Sequence, residues 1–190
     1  TPFAGEDIQI FERDLPGENK AGLSGQSIGR LPLESCQTIN EHWGYNITDT
    51  LYKSPKELIQ MLVRAAGKNA NLLLNIGPEP GGALPELALN RLQAIGEWLN
   101  KYGETIYGTR GGIVAPHDWG VSTQRGNKLY IHILNCMDSS LFIPTGNHKI
   151  KSATVFGTNK RVNFTKTGNG ITLNFDTIPT DIDYIVELSL

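Results

Sequence analysis

Residues 71–82 read NLLLNIGPEPGG, an apolar run that ends at a loop rich in glycine and proline. An apolar run of this length between turn signals predicts a β-strand that is buried on both faces. Because helical patterns lie on both sides of it, the stretch indicates a βα unit of a parallel sheet, in which ligands bind after the carboxyl ends of strands. Asn75 is the one polar side chain inside the run, and we expect either a hydrogen-bonded core amide or a site residue there.

The residues around this strand predict two helices and two further strands. Ser54 and Glu57 form a capping box around a proline, which predicts a helix that ends near Gly67. A second apolar stripe begins near Pro85 and ends at Gly103. Further strands are predicted at residues 5–14 and 33–39. Three strands and two helices make up only part of a (β/α)8 barrel, which has about 250 residues.

The pattern changes at Gly111-Gly112, where we place a domain boundary. Beyond it, short alternating segments predict strands at 128–134, 153–156, 161–165, 171–175 and 184–190, with a hairpin turn at 168–170. Short strands at this spacing are typical of an antiparallel β-sandwich. We therefore predict an α/β domain over residues 1–110, with the architecture of a partial (β/α)8 barrel, followed by a β-sandwich domain over residues 113–190.

Composition excludes several classes of function. Hydrophobic residues make up 39% of the chain, charged residues 19%, and the net charge is −2. The pI of about 6.1 argues against nucleic-acid binding, and no run reaches the 18 or so apolar residues of a membrane-spanning helix. Cys36 and Cys136 have no metal-site spacing, so we predict buried free thiols, and neither a metal nor a cofactor. Because the chain begins with Thr1, we expect it to be a piece of a longer protein.

Three motifs in one order resemble the α-L-fucosidases of glycoside hydrolase family 29. They are the segment from Leu33 to Tyr45 that ends in WGY, the segment NANLLLNIGP at 69–78, and the segment IGEWLNKYGETIYGT at 95–109. The resemblance implies that residues 1–110 are the C-terminal part of the catalytic barrel. It also implies a secreted, periplasmic or lysosomal location, and fucosylated oligosaccharides or glycoconjugates as substrates.

The resemblance further implies a retaining exo-fucosidase, with an Asp nucleophile and a Glu acid/base. Retaining glycosidases hold these two carboxyl groups about 5–5.5 Å apart. The family's nucleophile lies on an earlier strand, so we expect residues 1–190 to need the N-terminal part of the same barrel and to be inactive alone. Alignment of the DLPG segment at 14–17 favours Glu6 as the acid/base, whereas the predicted strand favours Glu12 at its carboxyl end. Glu18 and Glu34 are further alternatives.

Two aromatic-loop residues are candidate substrate contacts. Trp43 matches the family position whose ring packs on the C6 methyl group of fucose, and His42 beside it is a second candidate. A different class of protein also fits part of the sequence. In that alternative, the chain is a non-catalytic carbohydrate-binding or structural β-sandwich protein that carries a barrel remnant.

Overall fold

A computed structural model describes residues 5–18, 31–158 and 160–190 of the chain. The chain divides into two compact units, Thr1–Asn100 and Lys101–Leu190. Residues 17–30 are rich in glycine, serine and asparagine, which predicts a surface loop, and most of them lie outside the described residues. Across the described ranges, neither α-helix combines the length and the apolar character that a membrane crossing requires.

The first unit contains a small parallel sheet of three strands in the order β1-β2-β3. The strands are β1 (Gln9–Glu12), β2 (Leu33–Thr38) and β3 (Ala70–Asn75). Helix α1 (Pro55–Gly67) connects β2 to β3, and helix α2 (Glu86–Tyr102) follows β3. The predicted βα units and both predicted helices are therefore confirmed. Strand β1 is shorter than predicted, and Glu6 lies outside it.

A capping box fixes the start of helix α1, as the sequence predicts. The Ser54 hydroxyl accepts a hydrogen bond from the Glu57 backbone N–H at 3.2 Å. In return, the Glu57 carboxylate accepts one from the Ser54 backbone N–H at 2.7 Å. These reciprocal bonds satisfy two N–H groups that the first helical turn leaves without partners. The cap therefore fixes the residue at which helix α1 begins.

The two faces of the parallel sheet differ in burial. Phe11 and Leu33 face the side that packs with Ala65 of helix α1, and both are fully buried. The opposite face is open, because Ile10 is 58% exposed and Leu73 is 52% exposed. The prediction that β3 is buried on both faces is therefore wrong. In the part of the chain that the structure describes, no strand pairs with the outer edge of β3.

The second unit contains two antiparallel sheets. One has five strands in the order β4-β5-β6-β11-β8, and the other has three in the order β7-β10-β9. The strands are β4 (Arg110–Gly111), β5 (Gly120–Arg125), β6 (Lys128–Ile133), β7 (Ser140–Ile143), β8 (Ser152–Val155), β9 (Asn163–Thr167), β10 (Gly170–Asn174) and β11 (Tyr184–Ser189). Ile131 and Val186 of the larger sheet share one core with Ile143 and Leu173 of the smaller. The unit is therefore a β-sandwich, as predicted.

Local sequence explains some strands of the sandwich better than others. Gly168 has φ +53° at the first position of the β9–β10 turn, where a positive φ suits a two-residue hairpin. Strands β5 and β7 were not predicted: β5 carries the polar run from Ser122 to Arg125, and β7 is only four residues long. Gly111, at the predicted domain boundary, lies in β4 and pairs with Thr123 of β5.

A histidine network lies in the interior of the second unit. His132 Nδ1 lies 2.8 Å from Asp183 Oδ2, and both side chains are fully buried. His132 Nε2 lies 3.0 Å from the Thr123 hydroxyl, which itself donates to the Thr105 carbonyl at 2.6 Å. The network thus ties β5, β6 and the segment before β11 together.

Neither cysteine is fully buried, which corrects the prediction of buried thiols. Both thiols are free and partly exposed. Cys36 lies on the open face of the parallel sheet, level with Glu12 of β1. Desolvation raises the pKa of the Cys36 thiol above its usual value, and the carboxylates of Glu34 and Glu12 add to the effect. Cys136 donates to the Asp138 carbonyl at 3.2 Å.

Candidate active site

The carboxyl ends of the three parallel strands define the candidate site. β1 ends at Glu12, β2 at Thr38 and β3 at Asn75, so the segments that follow them gather at one edge of the sheet. Residues 41–51, which we name the aromatic loop, follow β2. Trp43 and Tyr45 in this loop are 38% and 39% exposed. Exposed aromatic rings at this edge are suited to contact a ligand that has an apolar face.

Asp49 organises the aromatic loop from inside. Its carboxylate accepts hydrogen bonds from the backbone N–H groups of Glu41, His42 and Leu51, at 3.1–3.2 Å. It also lies 2.7 Å from His42 Nδ1, and its side chain is only 1% exposed. The hydrogen bond with the His42 imidazole, aided by these backbone donors, holds the pKa of Asp49 below its usual value. The loop therefore closes around an ionised carboxylate.

Arg13 connects the end of β1 to the same loop. It has φ +57°, a left-handed conformation that is uncommon for a residue with a side chain. Its Nη2 donates to the Glu41 carbonyl at 2.9 Å. Its guanidinium carbon lies 5.4 Å from the centre of the Trp43 ring, within the range of a cation–π contact. The unusual backbone of Arg13 thus directs a cation onto the exposed indole.

Lys53 is a second cation of the site that the sequence analysis missed. Its Nζ donates to the carbonyl oxygens of Thr38, at 2.5 Å, and Asn40, at 3.2 Å. Desolvation lowers the pKa of this ammonium group, and the nearby Arg13 charge adds to the effect. The sequence offered one indication that Lys53 belongs to the site. It directly precedes the Ser54 cap, and the start of the helix fixes the position of that residue.

The four candidate acids occupy different places. Glu12 is exposed at the last position of β1, on the open face of the sheet and beside Arg13. Glu6 is partly buried and precedes β1, on the amino side of that strand. Glu34 pairs in register with Ile10, nearer the amino end of β2. Glu18 forms an ion pair with Lys68 at 2.9 Å. Of these residues, only Glu12 shares the strand edge with His42 and Trp43.

Asn75, at the end of β3, contacts the aromatic loop directly. Its side-chain Nδ2 donates to the Trp43 carbonyl at 2.6 Å. The expectation of a hydrogen-bonded amide is confirmed, although the residue is only partly buried. The partner carbonyl belongs to the aromatic loop, so Asn75 lies at the edge of the candidate site.

Replacing Asp49 by Asn is expected to loosen the aromatic loop. The amide keeps the shape of the side chain, but it has only one oxygen to serve the four donors. Hydrogen–deuterium exchange of residues 41–51, corrected for intrinsic rates, is expected to be faster in Asp49→Asn than in wild type. Asp181→Asn, at an exposed position of the second unit, is the matched control.

The same contact makes the loop sensitive to acid. The pKa of Asp49 is depressed in the folded loop, so the carboxylate stabilises the loop fully above its unfolded pKa of about 3.9. This contribution is lost as pH falls through the lower, folded pKa. The protection of the wild-type loop, measured as the ratio of the intrinsic to the observed exchange rate, is therefore expected to fall in acid. The Asp49→Asn variant is expected to lack this fall. Equal protection of both proteins at neutral pH would contradict the assignment.

Comparison with known proteins assigns the family. The family model for α-L-fucosidase matches residues 1–104, which is more than half of the chain. The chain belongs to the α-L-fucosidase family. An α-L-fucosidase of Dictyostelium discoideum is 32% identical over 132 residues, which cover 65% of this chain and 28% of that protein.

Solved structures extend the likeness to nearly the whole chain. An α-L-fucosidase isoenzyme of Paenibacillus thiaminolyticus matches with a TM-score of 0.82 and 34% identity, over 97% of this chain and 45% of that one. A Thermotoga maritima α-fucosidase in complex with fucose matches with a TM-score of 0.73 and 27% identity, over 85% of this chain and 41% of that one. The chain thus spans less than half the length of these relatives.

Proposed function

We propose that this chain is the C-terminal portion of a retaining exo-α-L-fucosidase. The observation that carries the proposal is the open face of the parallel sheet. Ile10 and Leu73 expose large apolar side chains on that face, and Leu73 lies level with Cys36 and Glu12. In a closed barrel this face is the interior, where side chains of the remaining strands cover it. The covering strands would come from the N-terminal part of the same barrel.

The two parts of the proposed enzyme differ in role. The first unit, Thr1–Asn100, forms the C-terminal part of the catalytic barrel, and the second unit, Lys101–Leu190, contains the β-sandwich domain. The boundary predicted at Gly111-Gly112 falls inside the second unit, because β4 (Arg110–Gly111) pairs with β5 of the larger sheet. The parallel strands and helices of the first unit support the barrel assignment. The separate core of the second unit supports the sandwich as a domain in its own right.

Catalysis proceeds by double displacement in this proposal. An Asp nucleophile, from a segment that precedes this chain, attacks the anomeric carbon and forms a fucosyl-enzyme intermediate. A Glu protonates the departing glycosidic oxygen and later removes a proton from water. We assign this acid/base to the Glu6–Glu12 segment. The position of Glu12 at the strand edge supports Glu12, and the alignment of the segment at 14–17 supports Glu6.

The aromatic loop forms the fucose-binding wall. The exposed indole of Trp43 offers an apolar surface for the C6 methyl group of fucose, which a hydroxylated hexose lacks. A methyl-sized contact supplies about 1–3 kcal/mol of discrimination. Asp49 holds Nδ1 of His42, which leaves Nε2 on the exposed side of the ring to bond a sugar hydroxyl. Terminal α-linked fucose of oligosaccharides or glycoconjugates is the proposed substrate.

Release of nitrophenol from 4-nitrophenyl α-L-fucoside by the full-length protein tests this function. Proton NMR of the first product is expected to show α-fucose, because two displacements retain the configuration. The β-L-fucoside of the same phenol is the matched control and is expected to stay intact. Initial release of β-fucose would overturn the retaining mechanism. A folded protein that is silent on this substrate and on fucosylated oligosaccharides would overturn the enzymatic assignment.

A structural role suits the sandwich better than sugar binding. Four of its aromatic side chains pack on one another in edge contacts, Tyr130 with Phe156 and Phe175 with Tyr184. Tyr130 and Phe175 are buried. Rings that are used in such contacts do not offer flat faces to a sugar.

A further inference from the structure

The aromatic loop rests on the two residues that end and follow β3. Asn75 is the last residue of that strand, and Gly77 lies two residues further along the chain. Both lie against the backbone of the WGY segment at 43–45. Backbone contacts of this kind fix where a loop lies without restricting which ring it presents.

The contact from Asn75 is a specific hydrogen bond. Nδ2 donates to the carbonyl of Trp43 itself, at 2.6 Å. Strand β3 pairs with β2 up to Thr38, so Asn75 is held at a defined height on the sheet edge. The carbonyl belongs to the residue whose ring is exposed. A change in its position therefore moves the indole directly.

The contact from Gly77 is a close approach of two backbones. A Cβ atom at this position would lie 2.4 Å from the Tyr45 backbone nitrogen and 2.5 Å from the Gly44 carbonyl carbon. Real Cβ atoms do not approach backbone atoms so closely, and a backbone neighbour cannot rotate away. Any side chain at 77 would therefore lift the WGY segment off the end of β3.

We propose that Asn75 and Gly77 are positioning residues that set the height of the Trp43 ring and thereby the preference for a 6-deoxy sugar. The inference rests on the proposed fucosidase function. It explains why the NLLLNIGP stretch carries an amide and a glycine at a strand end. Arg13 contacts the same loop from the end of β1, and Asp49 holds the loop together from inside. These contacts leave the Trp43 ring little freedom to move.

A substrate that lacks only the methyl group tests the inference. 4-Nitrophenyl β-D-arabinopyranoside has the ring configuration of the α-L-fucoside without C6. The readout is the ratio of kcat/KM for the fucoside to kcat/KM for this arabinopyranoside, measured in the full-length protein. Trp43→Ala is expected to lower the ratio about tenfold, the value of one methyl contact. Asn75→Ala is expected to lower it several-fold.

The isosteric variant and the double variant sharpen the test. Asn75→Asp keeps the side-chain volume but offers an acceptor to a carbonyl, so its ratio is expected to fall at least as far as that of Asn75→Ala. The Trp43→Ala/Asn75→Ala double variant is expected to fall no further than Trp43→Ala, because both act on one ring. Gln93→Ala is the matched control. It also removes the hydrogen bond of a side-chain amide, in this case to Glu97 on the surface of helix α2. Its ratio is expected to equal that of wild type.

Three outcomes would count against the inference. Equal losses on both substrates in Asn75→Ala would show a general structural role and overturn it. An unchanged ratio in Asn75→Asp would also overturn it. Because Asn75→Asp keeps the side-chain volume, it provides the test if Asn75→Ala does not fold. A wild-type protein silent on both substrates would overturn the proposed function itself, and the inference with it. The first two outcomes would overturn the inference alone and leave the proposed function standing.

Discussion

Removing the acid/base carboxylate, by Glu6→Gln or Glu12→Gln in the full-length protein, is expected to lower kcat/KM for fucosylated oligosaccharides by about 10²- to 10⁴-fold. The amide cannot donate a proton to the departing glycosidic oxygen, and a sugar hydroxyl is a poor leaving group without that proton. Only the variant at the true acid/base should show the loss. The other should stay within a few-fold of wild type.

Assays with nitrophenyl fucoside and azide distinguish the loss of the acid/base group from general damage to the active site. Nitrophenolate leaves without protonation, so the first step survives in the acid/base variant and the fucosyl-enzyme accumulates. Azide needs no general base and is expected to restore turnover. The azide product should have the configuration of the substrate, because it attacks from the side that the leaving group vacated. An inverted azide would identify a nucleophile instead.

Glu97→Gln is the matched control, because Glu97 is an exposed carboxylate on helix α2. It is expected to behave as wild type on both substrates. Loss of activity in neither Glu6→Gln nor Glu12→Gln would contradict the assignment of the acid/base to the Glu6–Glu12 segment.

Asp183→Ala is expected to be the most destabilising single change in the sandwich. The substitution leaves His132 fully buried, with Nδ1 deprived of its carboxylate partner. Breaking a buried pair by removing one member costs about 3–5 kcal/mol. Asp183→Asn keeps an acceptor for His132 and is expected to cost less. Urea unfolding of the full-length protein, followed by near-ultraviolet circular dichroism, measures both differences.

Asp176→Ala is the matched surface control. Asp176 forms an ion pair with Lys160 at 3.0 Å, but the two side chains are 73% and 57% exposed. Water and salt screen such a pair, so a much smaller change is expected. A change in Asp183→Ala as small as that in Asp176→Ala would contradict the importance assigned to the buried network.

The sequence was sufficient where local chemistry decides the structure. The Ser54–Glu57 capping box and the apolar run that ends at Asn75 each predict their element from a few neighbouring residues. The strand β5, in contrast, carries polar residues such as Ser122 and Thr123, which are buried and donate to the backbone carbonyls of Val114 and Thr105. These carbonyls lie outside the strand, so the alternation of residues within β5 does not predict that its polar side chains are buried.

The candidate site shows the same division. One motif identified Trp43 and His42, and a different segment identified the Glu candidates. The residues that hold these side chains in place could not be identified from the sequence. The roles of Arg13, Asp49 and Lys53 depend on where β1 and β2 end relative to each other. A left-handed residue such as Arg13 cannot be predicted from its type, because its conformation is imposed by the contacts it makes.

The tight contact between Gly77 and the segment at 43–45 also has an evolutionary consequence. A mutation that adds a side chain at 77 is tolerated only if the segment near Gly44 shifts or shortens at the same time. Across relatives, the two motifs should therefore be inherited as a pair, although more than 30 residues separate them in the chain. A lineage that adopts a different aromatic loop, and with it a different sugar preference, should show its first changes at the glycine of the NIGP sequence.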